Sequence, residues 1–212
     1  MTLPTPPLLL VTDRGQARGE LVSIVTRALA AGCRWVSLRE KDLPEAEQAA
    51  LLGDLVARAK PFGAIVGLHG HPEIARSAHA RAVHLTAGGD PAAARAMLGR
   101  AALIGLSVHT ADEAHRVDRD LVDYLIAGPV FETESKPGYG PAIGTAGLAL
   151  IVQAAALPVL AIGGIEAGNA APCLRAGAAG IAVMGGIMRA ADPGKEMRLL
   201  LEALAPSHPR PR

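Results

Sequence analysis

Two glycine pairs pose the first chemical question. Ile162-Gly163-Gly164-Ile165 and Met184-Gly185-Gly186-Ile187 each close a short apolar run. Glycine lets the backbone come close to a ligand, and exposed amides at a helix start favour anions. One such pair alone is commonly a tight turn; two pairs closing successive apolar runs suit a phosphate. A second candidate is the charged run Arg39-Glu40-Lys41-Asp42. In isolation it reads as a solvated loop with internal pairing. Facing two phosphate-type turns across one mouth, it becomes an anion clamp, with Arg39 bidentate and Lys41 as a point charge.

Histidines form the third group. Ser107-Val108-His109 ends another apolar run, and an imidazole there can exchange protons near neutral pH. His84, His69 and His71 close or follow neighbouring runs. They lie on separate loops, without the i, i+4 spacing or cysteine partners of a zinc site, so no metal is expected on them. His79 and His115 fall in helical stretches and are expected at the surface or in packing. The stretch 131–144 is too long for an ordinary strand-to-helix turn. Its Thr133, Ser135 and Lys136, with hinge-type glycines, suit a loop that covers a substrate; a passive surface loop is the alternative.

These groups need a scaffold that brings them to one place. Strand-like apolar runs fall at 8–12, 35–39, 64–68, 82–85, 103–108, 124–127, 159–162 and 181–184. Helical periods fall between them near 19–31, 44–60, 73–79, 91–99, 111–118, 145–155, 167–176 and 193–204. Asp90-Pro91 and Thr110 before Asp112-Glu113 are helix starts, and Gly32 and Gly177 stand where helices stop. Strand-helix alternation with continuously apolar strands indicates an α/β fold with a parallel sheet covered on both faces. Eight repeats favour a single (β/α)8 TIM barrel over an open doubly wound sheet. The barrel is expected over residues 1–204, followed by a frayed, proline-rich tail at 205–212. In such a barrel every candidate group above follows the C-terminal end of a strand, so all share one mouth.

Composition excludes several classes. The net charge of +1 and an aromatic content of 2% leave neither a basic stripe nor stacking platforms for nucleic acid. No apolar run reaches the roughly 18 residues of a membrane span. No basic segment precedes Leu8-Leu9-Leu10, so a signal peptide is not expected. Cys33 and Cys173 read as buried free thiols. A cytoplasmic enzyme acting on a small phosphorylated molecule is the expectation, without a nucleic-acid or membrane partner and with a homodimer as one arrangement.

The same residues carry a family resemblance. The stretches 36–42 and 82–85, Gly105-Leu106-Ser107-Val108-His109, Asp123-Tyr124 through Phe131, and both glycine-pair turns resemble the thiamine phosphate synthase and thiazole tautomerase superfamily. The resemblance runs from Leu10 to the final helix. It implies that the last two turns hold a thiazole phosphate, through the amides of Gly164, Met184 and Gly185. For a synthase it implies that Arg39, Lys41, Thr133, Ser135 and Lys136 hold the pyrophosphate of an aminopyrimidine. It also implies Mg2+ between aspartates after the third and fourth strands.

This chain departs from the synthase pattern there. His69-Gly70 replaces Asn-Asp, Ser37 replaces glutamine, and only Asp90 remains as a carboxylate candidate. Gly70, Ser107-Val108-His109 and Val130-Phe131-Glu132-Thr133 are similar to the tautomerase branch instead. The leading expectation is therefore a thiazole tautomerase-like isomerase, with His109 as acid/base, Ser107 among the substrate- and phosphate-binding residues, and no metal or other cofactor. The alternative is a thiamine phosphate synthase, with Mg2+ as its cofactor and Asp90 as a ligand. A non-catalytic barrel that binds thiazole phosphate is a second alternative.

Overall fold

Eight apolar runs of four to six residues form the strands β1 (Leu8–Val11), β2 (Trp35–Leu38), β3 (Ile65–His69), β4 (Ala82–Leu85), β5 (Leu103–Val108), β6 (Tyr124–Ala127), β7 (Val159–Ile162) and β8 (Gly180–Val183). In the computed structural model, which describes residues 2–135 and 141–205, they pair in parallel in chain order. β8 closes the ring on β1 in the register Leu8 to Ile181, Leu9 to Ala182 and Leu10 to Val183. A closed parallel barrel is thus the fold, and the open sheet is excluded. The expected tail lies outside the described residues from 206 on.

The helices are α1 (Leu21–Ala30), α2 (Glu45–Ala59), α3 (Pro72–Ser77), α4 (Pro91–Leu98), α5 (Ala111–His115), α6 (Gly144–Ala154), α7 (Ala170–Arg175), α8 (Gly185–Met188) and α9 (Pro193–Leu204). Their starts follow local chemistry. Asp90 accepts from the Ala93 amide at 3.0 Å, and Thr110 with Glu113 forms a reciprocal capping box.

Three expectations need correcting. The last strand begins one residue earlier than expected, so Met184 leaves it and precedes α8. The helix expected at 167–176 starts only at Ala170, because Glu166 to Asn169 form a turn in which Asn169 Oδ1 accepts from the Glu166 amide at 2.9 Å. The one-turn helix α8 has no counterpart among the expected elements.

Alternate strand residues face two cores. Leu8, Leu10, Val36, Leu68, Ile104 and Ile181 pack with the helices, while Leu9, Val11, Trp35, Leu103, Tyr124 and Leu160 fill the barrel. Two glycines make room inside. A Cβ on Gly105 would lie 2.1 Å from Cζ of Tyr124, and one on Gly67 would lie 2.6 Å from Cβ of Ala82. Trp35 meets Tyr124 edge-on with ring centroids 4.7 Å apart. Tyr124 then meets His84 at 5.5 Å, and His84 meets His69 at 4.7 Å. This column of rings leads from the apolar interior to the ends of β3 and β4.

At the opposite end, Arg95 pairs with Asp123 at 2.8 Å, and Asp123 accepts from the Ile104 amide at 2.7 Å. The Asp123 of the family-like segment therefore ties β5 to β6 far from the mouth. Cys33 and Cys173 are buried free thiols, and burial pushes Cys33 up to about 11, so it stays protonated. Among the described residues no helix is long and apolar enough to cross a membrane.

Candidate functional site

The C-terminal ends of the strands enclose two cavities. The first, of about 360 Å³, is lined by Ser107, His109, Thr133, Ser135, Gly163, Gly164, Met184, Gly185, Gly186 and Arg189. The second, of about 590 Å³, is lined by Lys41, Gln48, His69, Gly70, His71, Thr86 and Asp90. His69 borders both. Most of the expected site residues are therefore gathered at one mouth, but in two groups.

The glycine turns explain the first cavity. Gly163 and Gly164 have φ of +101° and +61°, which only glycine adopts cheaply. Their carbonyls are engaged in the turn: Phe131 N–H donates to Gly163 O at 3.0 Å, and Asn169 Nδ2 to Gly164 O at 2.8 Å. The turn is pressed against the loop after β6, since a Cβ on Gly164 would lie 2.3 Å from Glu132 O. Gly185 and Gly186 open α8, and the first amides of a helix have no acceptor within it. Both pairs border the same space.

Side chains on the facing strands are held from behind. His84 is buried, and its Nε2 lies 2.9 Å from Ser107 Oγ, so the ring fixes a hydroxyl on the cavity wall. His109 Nδ1 lies 3.0 Å from Gly128 O. A carbonyl only accepts, so Nδ1 carries the proton and Nε2 is the basic nitrogen of the neutral ring. Thr133 Oγ1 accepts from the Ser135 amide at 3.2 Å and shapes the start of the loop after β6. Lys136 lies outside the described residues.

The run Arg39-Glu40-Lys41-Asp42 does not act as one clamp. Glu40 is buried, accepting from Thr12 Oγ1 at 2.5 Å and from the Arg14 amide at 2.8 Å. Burial pushes its carboxyl above the ordinary range, against the opposing pull of those two donors. Thr12 Oγ1 in turn accepts from the Arg39 amide at 2.9 Å. Arg39 lies 3.8 Å from Asp13, and its buried Nε has no hydrogen-bond partner among the described residues. Lys41 turns to the second cavity, where burial and then Arg39 lower its ammonium pKa. Asp42 pairs with Arg14 near the surface.

The residues do not fit a protein-bound magnesium ion. Magnesium wants several oxygen ligands in near-octahedral array. Gly70 offers no side chain, and Asp90, whose Oδ1 caps α4, is the one carboxylate of the expected pair that is present. Among the described residues, no three His, Cys, Asp or Glu side chains are grouped to hold a metal.

Sequence reasoning missed Arg189 and Gln16 at this site. Arg189 borders the first cavity one helical turn after Gly185, and Gln16, in a 3-10 turn after β1, contacts it. Expecting α8 would have found Arg189, since i and i+4 share a helix face. No local signal marks Gln16.

Comparison with known proteins bears on what this mouth does. The pattern of the family described as thiamine monophosphate synthase matches residues 8–187. A thiamine-phosphate synthase of Roseiflexus castenholzii is 38% identical, over 92% of this chain and 87% of its own. One from Moorella thermoacetica is 35% identical, over 93% and 94%. The solved thiamine phosphate pyrophosphorylase from Pyrococcus furiosus superposes with a TM-score of 0.82 at 31% identity, covering 93% of this chain and 94% of its own. These findings overturn the expectation of a thiazole tautomerase. That expectation rested on a few positions at the mouth, whereas the similarity to proteins named as synthases extends over almost the whole chain.

Proposed function

The chain belongs to the thiamine monophosphate synthase family, as an enzyme of thiamine biosynthesis, and we propose that it joins an aminopyrimidine pyrophosphate to a thiazole phosphate. In this reaction the thiazole ring nitrogen forms a bond to the methylene carbon of the pyrimidine. The carbon–oxygen bond to pyrophosphate breaks, and its electron pair leaves with the pyrophosphate. The single observation that carries the reading is the pair of adjoining cavities at one barrel mouth, one bordered by the two glycine turns and Arg189 and the other by Lys41.

Thiazole phosphate takes the first cavity, with its phosphate on the turns Gly163-Gly164 and Gly185-Gly186 and the Met184 amide. Ser107, steadied by His84, and His109 border the ring. The pyrophosphate takes the Lys41 side. Arg39, whose Nε lacks a partner among the described residues, has donor capacity for an anion that reaches it. Binding there offsets the depression of Lys41, because an anion favours the charged ammonium. The family resemblance implies that Thr133, Ser135 and Lys136 contact the same group; Thr133 and Ser135 border the first cavity, and Lys136 lies outside the described residues.

Rate in such a displacement comes from holding two substrates in line and from meeting the charge that develops on the leaving group. No step is routed through a metal held by the protein. The test is to supply both substrates and identify thiamine phosphate by mass, with each substrate omitted in turn. Coupled product in the complete mixture alone supports the proposal; its absence with folded protein refutes it.

A further inference from the structure

Arg189 lines the first cavity, together with the carboxylates Glu132, Glu134 and Glu166, and its positive charge has no role in the site described so far. It is the residue after α8, and its amide donates to Gly185 O at 2.9 Å. The guanidinium folds back over the start of the same helix. A Cβ on Gly185 would lie 2.5 Å from Nη1 and 2.6 Å from Nη2, so glycine there makes room for it. Arg189 also lines the first cavity, beside both glycine turns.

Its partners are neutral. Nη1 donates to Gln16 Oε1, and to Ser135 Oγ at 3.2 Å. Among the described residues no carboxylate pairs with it, whereas Arg39, at the same mouth, lies 3.8 Å from Asp13. Guanidinium carries five donors in a planar fork matched to phosphate, and two neutral oxygens leave most of that capacity unused.

Gln16 is placed to give way. Its Oε1 also accepts from Ser135 Oγ at 2.8 Å, while its Nε2 donates to Asp13 Oδ2 at 2.6 Å. Turned over, the amide would set NH2 against the guanidinium and oxygen against the carboxylate, so its orientation is determined. Asp13 in turn faces Arg39 at 3.8 Å. Gln16 is thus a neutral spacer between the arginine of the first cavity and that of the second-strand run.

We propose that Arg189 binds the phosphate of the substrate in the first cavity, exchanging Gln16 for a phosphate oxygen, and so makes the site selective for the phosphorylated thiazole. This rests on the reading of the first cavity as the thiazole phosphate site. In exchange for the neutral Gln16 oxygen, Arg189 gains a charge-assisted pair, which is roughly twice as strong.

Calorimetry with thiazole phosphate, and with the same thiazole bearing a free hydroxyl, tests it on wild type, Arg189→Ala and Arg189→Lys. Wild type should prefer the phosphate ester. Arg189→Ala should weaken the ester by about 10- to 100-fold and the alcohol by less than about threefold. Arg189→Lys should recover part of the loss, as a point charge without the fork. Arg189→Gln, which keeps a donor for Ser135, replaces the alanine variant if that one melts far below wild type.

Ester affinity within about threefold of wild type in a folded variant overturns the proposal. So does an equal loss for ester and alcohol, which would make Arg189 a wall of the cavity. A wild type that binds both thiazoles equally refutes the phosphate reading of the cavity itself. Binding needs no turnover, so the outcome is independent of whether the coupling reaction is observed.

Discussion

Replacing Gly185 by alanine should separate binding from folding. The added Cβ would lie 2.3 Å from Ser135 Oγ and 2.5 Å from Arg189 Nη1, well inside ordinary contact. Both atoms end flexible side chains, so each can retreat by the roughly 1 Å needed to restore contact. The backbone is helical at this position, where alanine is better than glycine by up to about 1 kcal/mol. The melting temperature should therefore stay within about 4 °C of wild type, since 1 kcal/mol is about 2–4 °C for a chain of this size. The displaced guanidinium and the filled cup should each cost the phosphate. Losing one charged hydrogen bond of about 1.5–3 kcal/mol raises KM for thiazole phosphate by about 10- to 150-fold.

Gly164→Ala is the contrasting variant. Its Cβ would meet Glu132 O at 2.3 Å with φ at +61°, and backbone cannot retreat as a side-chain tip does. A strained φ plus displacement of the loop should cost about 2–4 kcal/mol, or roughly 4–16 °C in Tm. Thermal melts and initial rates on both proteins decide the matter. A Gly185→Ala protein that melts far below wild type while binding thiazole phosphate normally would refute the reasoning.

Other expectations follow from the same geometry. Glu40→Gln sets an NH2 group against one of two donors, so stability should fall by about 1–3 kcal/mol in urea unfolding. Because burial holds the Glu40 pKa above its ordinary 4.5, the native state keeps a proton that the unfolded chain releases. The Glu40 contribution is therefore full below the ordinary carboxylate range and is lost as pH rises through the raised value. Glu40→Gln should lack that part of the slope, and an unchanged pH profile would count against the buried carboxyl. Gly105→Ala drives a methyl into the Tyr124 ring and should cost about 3 kcal/mol or more, partly rescued by Tyr124→Leu; a neutral effect would argue against the interior column. Magnesium titrated into the protein alone should show no heat of a specific site, and a saturable site would show that the donors described here are not the whole set.

Much of the barrel was legible because each strand is a short apolar run and the helix starts carry caps such as Asp90 and Thr110. Closure itself came from the count of repeats. The short α8 was not legible: Gly185-Gly186 is a poor helix sequence, and the turn is held by distant contacts such as Arg18 N–H to Met188 O at 2.9 Å. Arg189 was lost with it. Within Arg39-Glu40-Lys41-Asp42, sequence could not tell which carboxylate is internal, because Thr12, just after the neighbouring strand β1, decides. The choice of branch failed for another reason. Gly70, Ser107-Val108-His109 and Val130-Phe131-Glu132-Thr133 point to the tautomerase branch, yet a handful of mouth residues counts for less than similarity along the chain.

The central claim is that one mouth exchanges a carbon–oxygen bond to pyrophosphate for a carbon–nitrogen bond to thiazole. Thiamine phosphate and pyrophosphate measured together, from one reaction containing both substrates, test it most directly. The two should appear at equal initial rates, and neither should form when thiazole phosphate is left out. Pyrophosphate released without thiamine phosphate, or neither product from folded protein, would contradict the account.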